Sequence, residues 1–277
     1  MTRGISLRKL EEFHNGEKSQ FSVIYGPSKI NCQKENESML LVLDSSFNPP
    51  HYGHYTLIER AIKRYSGTSN VDISVLLLLS VKNADKGEKP ATFDKRLDMM
   101  NLLSQYIHNE FPSLEPIVAV SKSAKFVDKS IGIRVNLFET GKIVYLLGFD
   151  TITRVLDPKY YVPQTLEEAM DDFMSHTGFF CLTRGEEGDK DDSEEFIKQT
   201  KYVDDISSGV FEPSIPRKWG SNIQIEVNNN SYCSISSSQI RKSLIQKDYT
   251  SVEGKLPASI LEYIIESDRE AKSSIFI

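Results

Sequence analysis

The residues best suited to chemistry are two histidines that follow an apolar segment. His51 and His54 lie in the stretch LVLDSSFNPPHYGH, with Gly53 beside the second histidine. Pro50 favours the start of a helix, and residues three apart share one helical face. Imidazole N–H groups and the free backbone N–H groups of a helix start bind phosphate oxygens, and Gly53 leaves room for close approach. The stretch predicts a phosphate-binding corner.

Two other interpretations of this corner stay open. Histidines can ligate a metal, but two of them without a nearby cysteine or a third histidine make a weak zinc site. The second alternative is an ordinary strand-to-helix turn that happens to contain histidines. We predict no metal ligand from the protein itself.

A second group of polar residues lies in SISSSQIRKSL, residues 234–244. Ser236 and Gln239 have the spacing of a capping box, which predicts a helix start. Its hydroxyl and N–H groups form another anion-binding terminus, and Arg241 can bind phosphate oxygens in a fork. The alternative is an ordinary capped helix with a surface arginine.

A third group follows the apolar run KIVYLL. The run ends in Gly148, Phe149 and Asp150. A carboxylate at a strand end accepts hydrogen bonds from ribose or amide groups, and it also serves as the N-cap of a following helix. Both roles are compatible.

These three groups are placed by an alternation of strands and helices. Buried-strand patterns alternate with helical ones, which predicts an α/β fold with a Rossmann-like, doubly wound, mostly parallel sheet. Ligands of such sheets bind beyond the carboxyl ends of the strands. The predicted strands are FSVIY as an outer strand, then MLLVLD, VDISVLLLLS, PIVAVS, GKIVYLLG, GFFCLTRG and IQIEV.

The chain divides into an N-terminal extension, 1–38, which we expect to pack on the core, and a main domain, 39–277. An acidic insertion lies near 185–220, and its part 185–206 has the composition of a solvated insertion or mobile loop. The alternatives are a lid over the site or a surface that binds a protein partner.

Composition excludes some classes of protein. The formal net charge is −6 with no basic block, which argues against a broad nucleic-acid surface. Cys32, Cys181 and Cys233 are odd in number and widely spaced, so no disulfide framework is expected. No apolar run approaches the ~20 residues of a membrane span. We expect a cytoplasmic protein, which also fits the nucleus, with no membrane association.

Taken together, the motifs resemble the nucleotidyltransferases that share a His-x-Gly-His signature, and more narrowly the nicotinamide mononucleotide (NMN) adenylyltransferases. The resemblance covers about Met39 to Ile265. Within this family the chain is similar to a diverged fungal branch, the promoter of filamentation proteins. SSFNPPHYGH matches the leading motif, SISSSQIR the second phosphate motif, GFD a Gly-x-Asp motif, and the helix around Arg96 an Arg-x-x-Met motif.

The resemblance implies transfer of AMP from ATP to NMN, with Mg²⁺ held mainly by phosphates. It implies catalytic roles for His54, His51 and Arg241. The implied ATP ligands are Ser45, Ser46, Phe47, His51, Gly53, His54, Ser236, Ser237, Ser238 and Arg241. The implied ligands of the nicotinamide nucleotide are Asn48, Lys82, Arg96, Gly148, Asp150, Tyr160, Tyr161 and Trp219.

Several departures leave the acceptor and the activity open. Ser45 replaces the first glycine of the leading motif, and the segment with Lys82 and Lys89 lacks a clear substrate-loop pattern. No tryptophan follows Asp150, so stacking on nicotinamide falls to Tyr160, Tyr161 or Trp219. Alternatives are transfer to nicotinate mononucleotide or phosphopantetheine, and a nucleotide-binding or ATP-hydrolysing regulator that has lost NAD synthesis. Cytidylyl transfer and aminoacyl-tRNA synthesis are disfavoured by absent motifs. The oligomeric state is not predicted.

Overall fold

The computed structural model describes residues 4–16, 19–31, 38–67, 71–81, 91–185, 194–228 and 231–277. Within these ranges seven strands form one sheet in the order β1-β4-β3-β2-β5-β6-β7. β1 pairs with β4 in the antiparallel direction and the other pairs are parallel. The strands are β1 (Phe21–Tyr25), β2 (Ser38–Asp44), β3 (Asp72–Ser80), β4 (Ile117–Ser121), β5 (Lys142–Gly148), β6 (Thr177–Leu182) and β7 (Ile223–Glu226). The predicted α/β, doubly wound, mostly parallel sheet is confirmed.

Helices cover both faces of this sheet. One face packs against α1, α2, α3, α8 and α9, and the other against α4 to α7. The helices are α1 (Ile5–Asn15), α2 (Tyr52–Ser66), α3 (Phe93–Glu110), α4 (Phe126–Asn136), α5 (Phe149–Val155), α6 (Leu166–His176), α7 (Glu194–Ser207), α8 (Ser237–Ile245) and α9 (Ala258–Ala271).

The central strand β2 shows why its sequence is almost continuously apolar. Successive side chains of a strand point to opposite faces. Leu41 packs into the cluster on the α2 side, whereas Leu40 and Val42 pack into the cluster on the α4 side. All three are fully buried. Each such burial contributes about 1.5–3 kcal/mol, which fixes the strand between two helical layers.

The order of the strands places a crevice beside β2. From β2 the chain continues to β3 on one side, and it later returns to β5 on the other side. Helices that leave β2 and β5 therefore diverge to opposite faces, and a gap opens between the carboxyl ends of these two strands. Residues that follow Asp44 and Gly148 line this switch point.

The N-terminal helix is held on the core by a small polar network. Ser6 Oγ donates to Asp98 Oδ1 at 2.5 Å and lies 2.6 Å from the hydroxyl of Tyr25. Tyr263 donates its hydroxyl to Asp98 Oδ2 at 2.9 Å. These contacts join α1 to α3, to α9 and to β1. The division into an extension and a main domain stays a prediction.

The acidic segment differs from its sequence-based interpretation. Residues 194–207 form α7 rather than a solvated loop, and its residues Phe196, Gln199 and Ile206 are buried. The expectation of a mobile loop is therefore wrong for this part, because the acidic residues occupy the outer face of a helix whose inner face is apolar. Residues 186–193 lie outside the described ranges. A partner-binding role of the segment stays a prediction.

Two further findings concern the described residues alone. None of their helices combines the length and the apolar character that a membrane-spanning helix needs. The side chains of Cys181 and Cys233 are buried, and Cys32 falls outside the described ranges.

Candidate active site

A cavity of about 300 Å³ lies at the switch point of the sheet. The carboxyl ends of β2, β5 and β6 form its floor, and the starts of α2 and α8 form its walls. Its polar lining residues are Asp44, Ser45, His51, His54, Asp150, Thr151, Arg154, Thr183, Arg184, Asn228, Tyr232, Ser236 and Ser237. The structure thus brings together the histidine corner, the Gly-Phe-Asp segment and the serine-rich helix start, which are far apart in the sequence.

Hydrogen bonds from two sides hold the turn before α2 in its conformation. Phe47 is fully buried and has a positive φ of 44°, a conformation that side-chain-bearing residues adopt at a cost. Asn48 Oδ1 accepts the backbone N–H of Ala91 at 3.0 Å. Arg241 Nη1 donates to the carbonyl of Asn48 at 2.5 Å, and Ser237 Oγ donates to the carbonyl of Pro49 at 3.0 Å. Contacts from α8 therefore compensate for the strained turn.

The two histidines hold each other in defined orientations. His51 Nδ1 accepts the backbone N–H of Gly53 at 3.1 Å, and His54 Nδ1 accepts the backbone N–H of His51 at 3.1 Å. Their ring centroids are 3.9 Å apart. A ring nitrogen that accepts carries no proton, so each neutral imidazole carries its proton on Nε2. His54 Nε2 lies 3.0 Å from Ser45 Oγ.

Both histidines are neutral in this environment. Burial, with the charges of His54 and Arg184, lowers the pKa of His51 well below its usual value. Burial and then Arg184 lower the pKa of His54 to about 3. The corner therefore carries two neutral Nε2–H groups, of which that of His54 lies against Ser45 Oγ, and an anion that binds there will raise both pKa values.

Gly53 has a packing role that the sequence alone does not show. A Cβ atom at this position would lie 3.0 Å from Cε1 and from Nδ1 of the His51 ring. A side chain would displace His51 from the backbone N–H that orients it. Gly53 also lines the cavity, as the predicted close approach of a ligand requires.

The second predicted phosphate site is a capped helix start. Ser236 is the N-cap of α8, and its Oγ lies 3.3 Å from the backbone N–H of Gln239, from which it accepts. Ser236 and Ser237 line the cavity. Arg241 does not belong to the described lining residues; besides Asn48 it contacts Ser238 Oγ at 3.1 Å. Burial lowers the pKa of Arg241.

Asp150 forms an ion pair at the cavity with Arg184, a residue to which the sequence analysis assigns no role. Arg184 Nη1 lies 3.4 Å from Asp150 Oδ2. Gln199, on α7, is buried and pairs with both backbone groups of Arg184, at 2.9 and 2.7 Å. Asp150 lies in the first turn of α5, whose N-cap is Gly148. The sequence signal that could have identified Arg184 is the Thr-Arg pair near the end of the predicted strand GFFCLTRG.

A buried ion pair supports the floor beside the histidine corner. Asp44 Oδ2 accepts from Lys129 Nζ of α4, and the two side chains are 9% and 6% exposed. Asp44 also lines the cavity. The residues are 85 positions apart, so no local pattern signals their pairing.

A buried amide oxygen in the cavity wall is also unpaired. Asn228 Oδ1 has no hydrogen-bond partner among the described residues, whereas the Asn228 backbone N–H donates to Thr183 Oγ1 at 2.9 Å. Such a group is costly unless a donor meets it. A ligand with an N–H or O–H group would satisfy Asn228.

Several predicted ligands of the nicotinamide nucleotide lie elsewhere. Arg96 is buried in α3 and donates to the carbonyl of Ala91 at 2.7 Å. Trp219 is buried, and its Nε1 donates to Asp171 Oδ1 at 3.1 Å. Tyr160 is 54% exposed, and Tyr161 donates to the carbonyl of Val155 at 2.8 Å. None of the four is among the described lining residues of the cavity.

Two other predicted site residues are Lys82 and Ser46. Lys82 lies outside the described residues, together with Lys89. Ser46 is exposed next to the cavity-lining Ser45. The ligand roles of all these residues stay predictions. In the described part of the chain no group of three or more histidine, cysteine or carboxylate side chains is placed to hold a metal ion.

Comparison with known proteins identifies the family. The model of the family described as cytidylyltransferase-like matches residues 42–243. The chain belongs to this family. It is 35% identical over 230 residues to a Schizosaccharomyces pombe protein named "Putative nicotinamide mononucleotide adenylyltransferase", covering 83% of this chain and 85% of that one.

Solved structures support the fold. Plasmodium falciparum nicotinic acid mononucleotide adenylyltransferase, solved in complex with NaAD, aligns with a TM-score of 0.50 at 16% identity. The alignment covers 83% of this chain and 96% of that one. The same enzyme in complex with APC gives a TM-score of 0.50 at 15% identity. The cytidylyltransferase-like chain described here therefore shares the architecture of this enzyme.

Proposed function

We propose that this chain is a nicotinamide-nucleotide adenylyltransferase, which transfers AMP from ATP to NMN and releases NAD and pyrophosphate. The observation that carries the proposal is the cavity at the switch point, where two neutral histidines face the capped start of α8. The 35% identity to the relative named for this activity points to the same chemistry.

In this reaction an oxygen of the NMN phosphate attacks the α-phosphorus of ATP. The bond from that phosphorus to the oxygen bridging the α- and β-phosphates breaks, and pyrophosphate leaves. No covalent bond to the protein is needed, so the protein contributes alignment and stabilisation of negative charge. Buried donors do this well, since they need no reorganisation and act at low dielectric.

The histidine corner supplies these donors. His51 keeps its Nε2–H available because its Nδ1 accepts a backbone N–H, and the Nε2 of His54 lies 3.0 Å from Ser45 Oγ at the cavity. The start of α2 adds the positive end of a helix dipole. The corner therefore binds the triphosphate, and His54 serves the α-phosphate while His51 serves the phosphates that leave.

Arg241 acts from beside the cavity. Its guanidinium holds the carbonyl of Asn48 and the hydroxyl of Ser238. It thus fixes the turn that presents His51 and places a positive charge near the leaving phosphates. Mg²⁺ enters as part of the MgATP substrate, bound to phosphate oxygens and water, and neutralises charge on the phosphates.

The acceptor is the finer part of the proposal. We assign NMN rather than nicotinate mononucleotide because the 35% identical relative is named for NMN. The Plasmodium enzyme, whose title names nicotinic acid mononucleotide, shares the fold at 16% identity. Gly148 and Asp150 line the cavity and are available to bind a nucleotide ribose.

The test is direct product formation. Purified protein is incubated with ATP, Mg²⁺ and either NMN or nicotinate mononucleotide, and dinucleotide and pyrophosphate are measured. We expect both products, with NMN the better acceptor. His54→Ala should lower kcat by about 10²–10³, the typical loss for a preorganised donor. His14→Ala is the matched control, since His14 is exposed on α1.

Two outcomes of this test would change the proposal. If ATP binds but neither acceptor yields a dinucleotide, the proposal is overturned in favour of a nucleotide-binding regulator. If both acceptors react equally, adenylyl transfer stands and the assignment of NMN fails.

A further inference from the structure

Ser45 occupies the position in front of the donor nitrogen of His54. Its Oγ lies 3.0 Å from His54 Nε2, and both side chains line the cavity. The Ser45 backbone N–H donates to the carbonyl of Leu78 at 3.2 Å, which continues the pairing of β2 with β3. The backbone of Ser45 is therefore anchored to the sheet, and its hydroxyl lies against the donor nitrogen of His54 at the cavity.

The direction of this hydrogen bond follows from the backbone. His54 Nδ1 accepts the N–H of His51, so the proton of the neutral ring is on Nε2. The low pKa of His54 keeps the ring neutral. His54 must therefore donate to Ser45 Oγ. This excludes a serine nucleophile activated by His54 as a base, because Nε2 has no lone pair to take a proton.

The hydroxyl proton of Ser45 is left to serve another group. In the part of the chain that the structure describes, Ser45 Oγ has no other hydrogen-bond partner. A hydroxyl that accepts from one donor becomes a better donor itself, because hydrogen bonds in a chain polarise one another. The acceptor that fits is an anionic oxygen in the cavity.

We propose that Ser45 is the residue through which His54 stabilises the phosphate that reacts. The chain of hydrogen bonds runs from His54 Nε2–H to Ser45 Oγ and from the Ser45 hydroxyl to an oxygen of the α-phosphate. No proton leaves Ser45 and no covalent bond forms. This inference rests on the proposed adenylyl transfer and assigns the donor within it.

A double-mutant cycle in kcat tests the proposal. Ser45→Ala should lower kcat by about 10- to 100-fold, the range for a hydrogen bond to a charged group. Ser45→Ala in the His54→Ala background should add less than about threefold, because both residues act through one contact. Ser45→Thr should keep activity within a few-fold of wild type, because threonine keeps the hydroxyl and suits a strand end.

Ser208→Ala is the matched control, since Ser208 is exposed after α7 and its Oγ donates to the carbonyl of Asp205. The thermal unfolding midpoint of each variant is recorded alongside kcat. A merely structural role of Ser45 would lower that midpoint without coupling to His54.

The outcomes separate this inference from the proposed function. Dinucleotide formation with independent, multiplying effects of Ser45→Ala and His54→Ala overturns the relay and leaves adenylyl transfer intact. If the wild-type chain forms no dinucleotide, the same cycle is measured as the Kd for ATP by calorimetry. Coupled losses of affinity would then support the Ser45 contact, and additive losses would overturn it.

Discussion

Two buried polar pairs lie at the carboxyl end of β2, and they differ in charge. The pair Asp44–Lys129 has opposite charges that compensate each other. The pair His51–His54 is neutral and carries N–H donors that face no charged acceptor among the described residues. An ion pair whose charges compensate each other interacts weakly with a ligand. A neutral pair of oriented N–H donors can bind an anion. The first pair supports the cavity floor, and the second pair is the one to which we assign a catalytic role.

The largest expected effect comes from breaking the charged pair. Lys129→Met should lower the free energy of unfolding by about 3–5 kcal/mol, because it leaves the Asp44 carboxylate buried without its counter-ion. Urea unfolding of the purified variant measures this value.

The double variant Asp44→Leu with Lys129→Met is the control for this prediction. It removes both charges and should recover most of the loss, because no uncompensated charge remains. A double variant as unstable as Lys129→Met would show that shape rather than charge sets the cost.

The neutral pair predicts a dependence of stability on pH. The folded-state pKa of His54, about 3, is below its unfolded value near 6.5, so the unfolded chain binds more protons below pH 6.5. Stability from His54 is complete above that pH and is lost as pH falls. Between pH 7 and pH 5 we expect a loss of about 2 kcal/mol from this residue.

Urea unfolding at pH 7, 6 and 5 checks this dependence. His54→Asn should have a flatter profile than wild type, and His176→Asn, at an exposed position, should keep the wild-type slope. Identical slopes for wild type and His54→Asn would contradict neutral burial of His54.

The smallest expected effect comes from removing the support of Arg184, the cation that lowers the pKa values of both histidines. Gln199→Leu removes both side-chain hydrogen bonds to the backbone of Arg184 and should raise the KM for ATP about 3- to 10-fold with little change in kcat. Steady-state kinetics of dinucleotide formation measures both parameters. An unchanged KM would show that Arg184 holds its position without α7.

Much of the fold follows from local pattern. The apolar runs that end at Asp44 and at Gly148 predict buried parallel strands, and both form neighbouring strands of the sheet. Segment 194–207 differs from the sequence-based prediction because its acidic composition hides the spacing of Phe196 and Ile206, which face the core. Composition reports the solvent face of such a helix, whereas the few residues that pack decide whether it is ordered.

Local spacing was enough to predict the sheet class, the capped start of α8 and the position of the histidine corner, because these depend on residues a few positions apart. The protonation of the histidines depends instead on the three-dimensional fold, since burial and the distant Arg184 set it. The pairing of Asp44 with Lys129 also depends on the fold. Desolvation and long-range contacts depend on where the whole chain lies in space, and local spacing does not encode them.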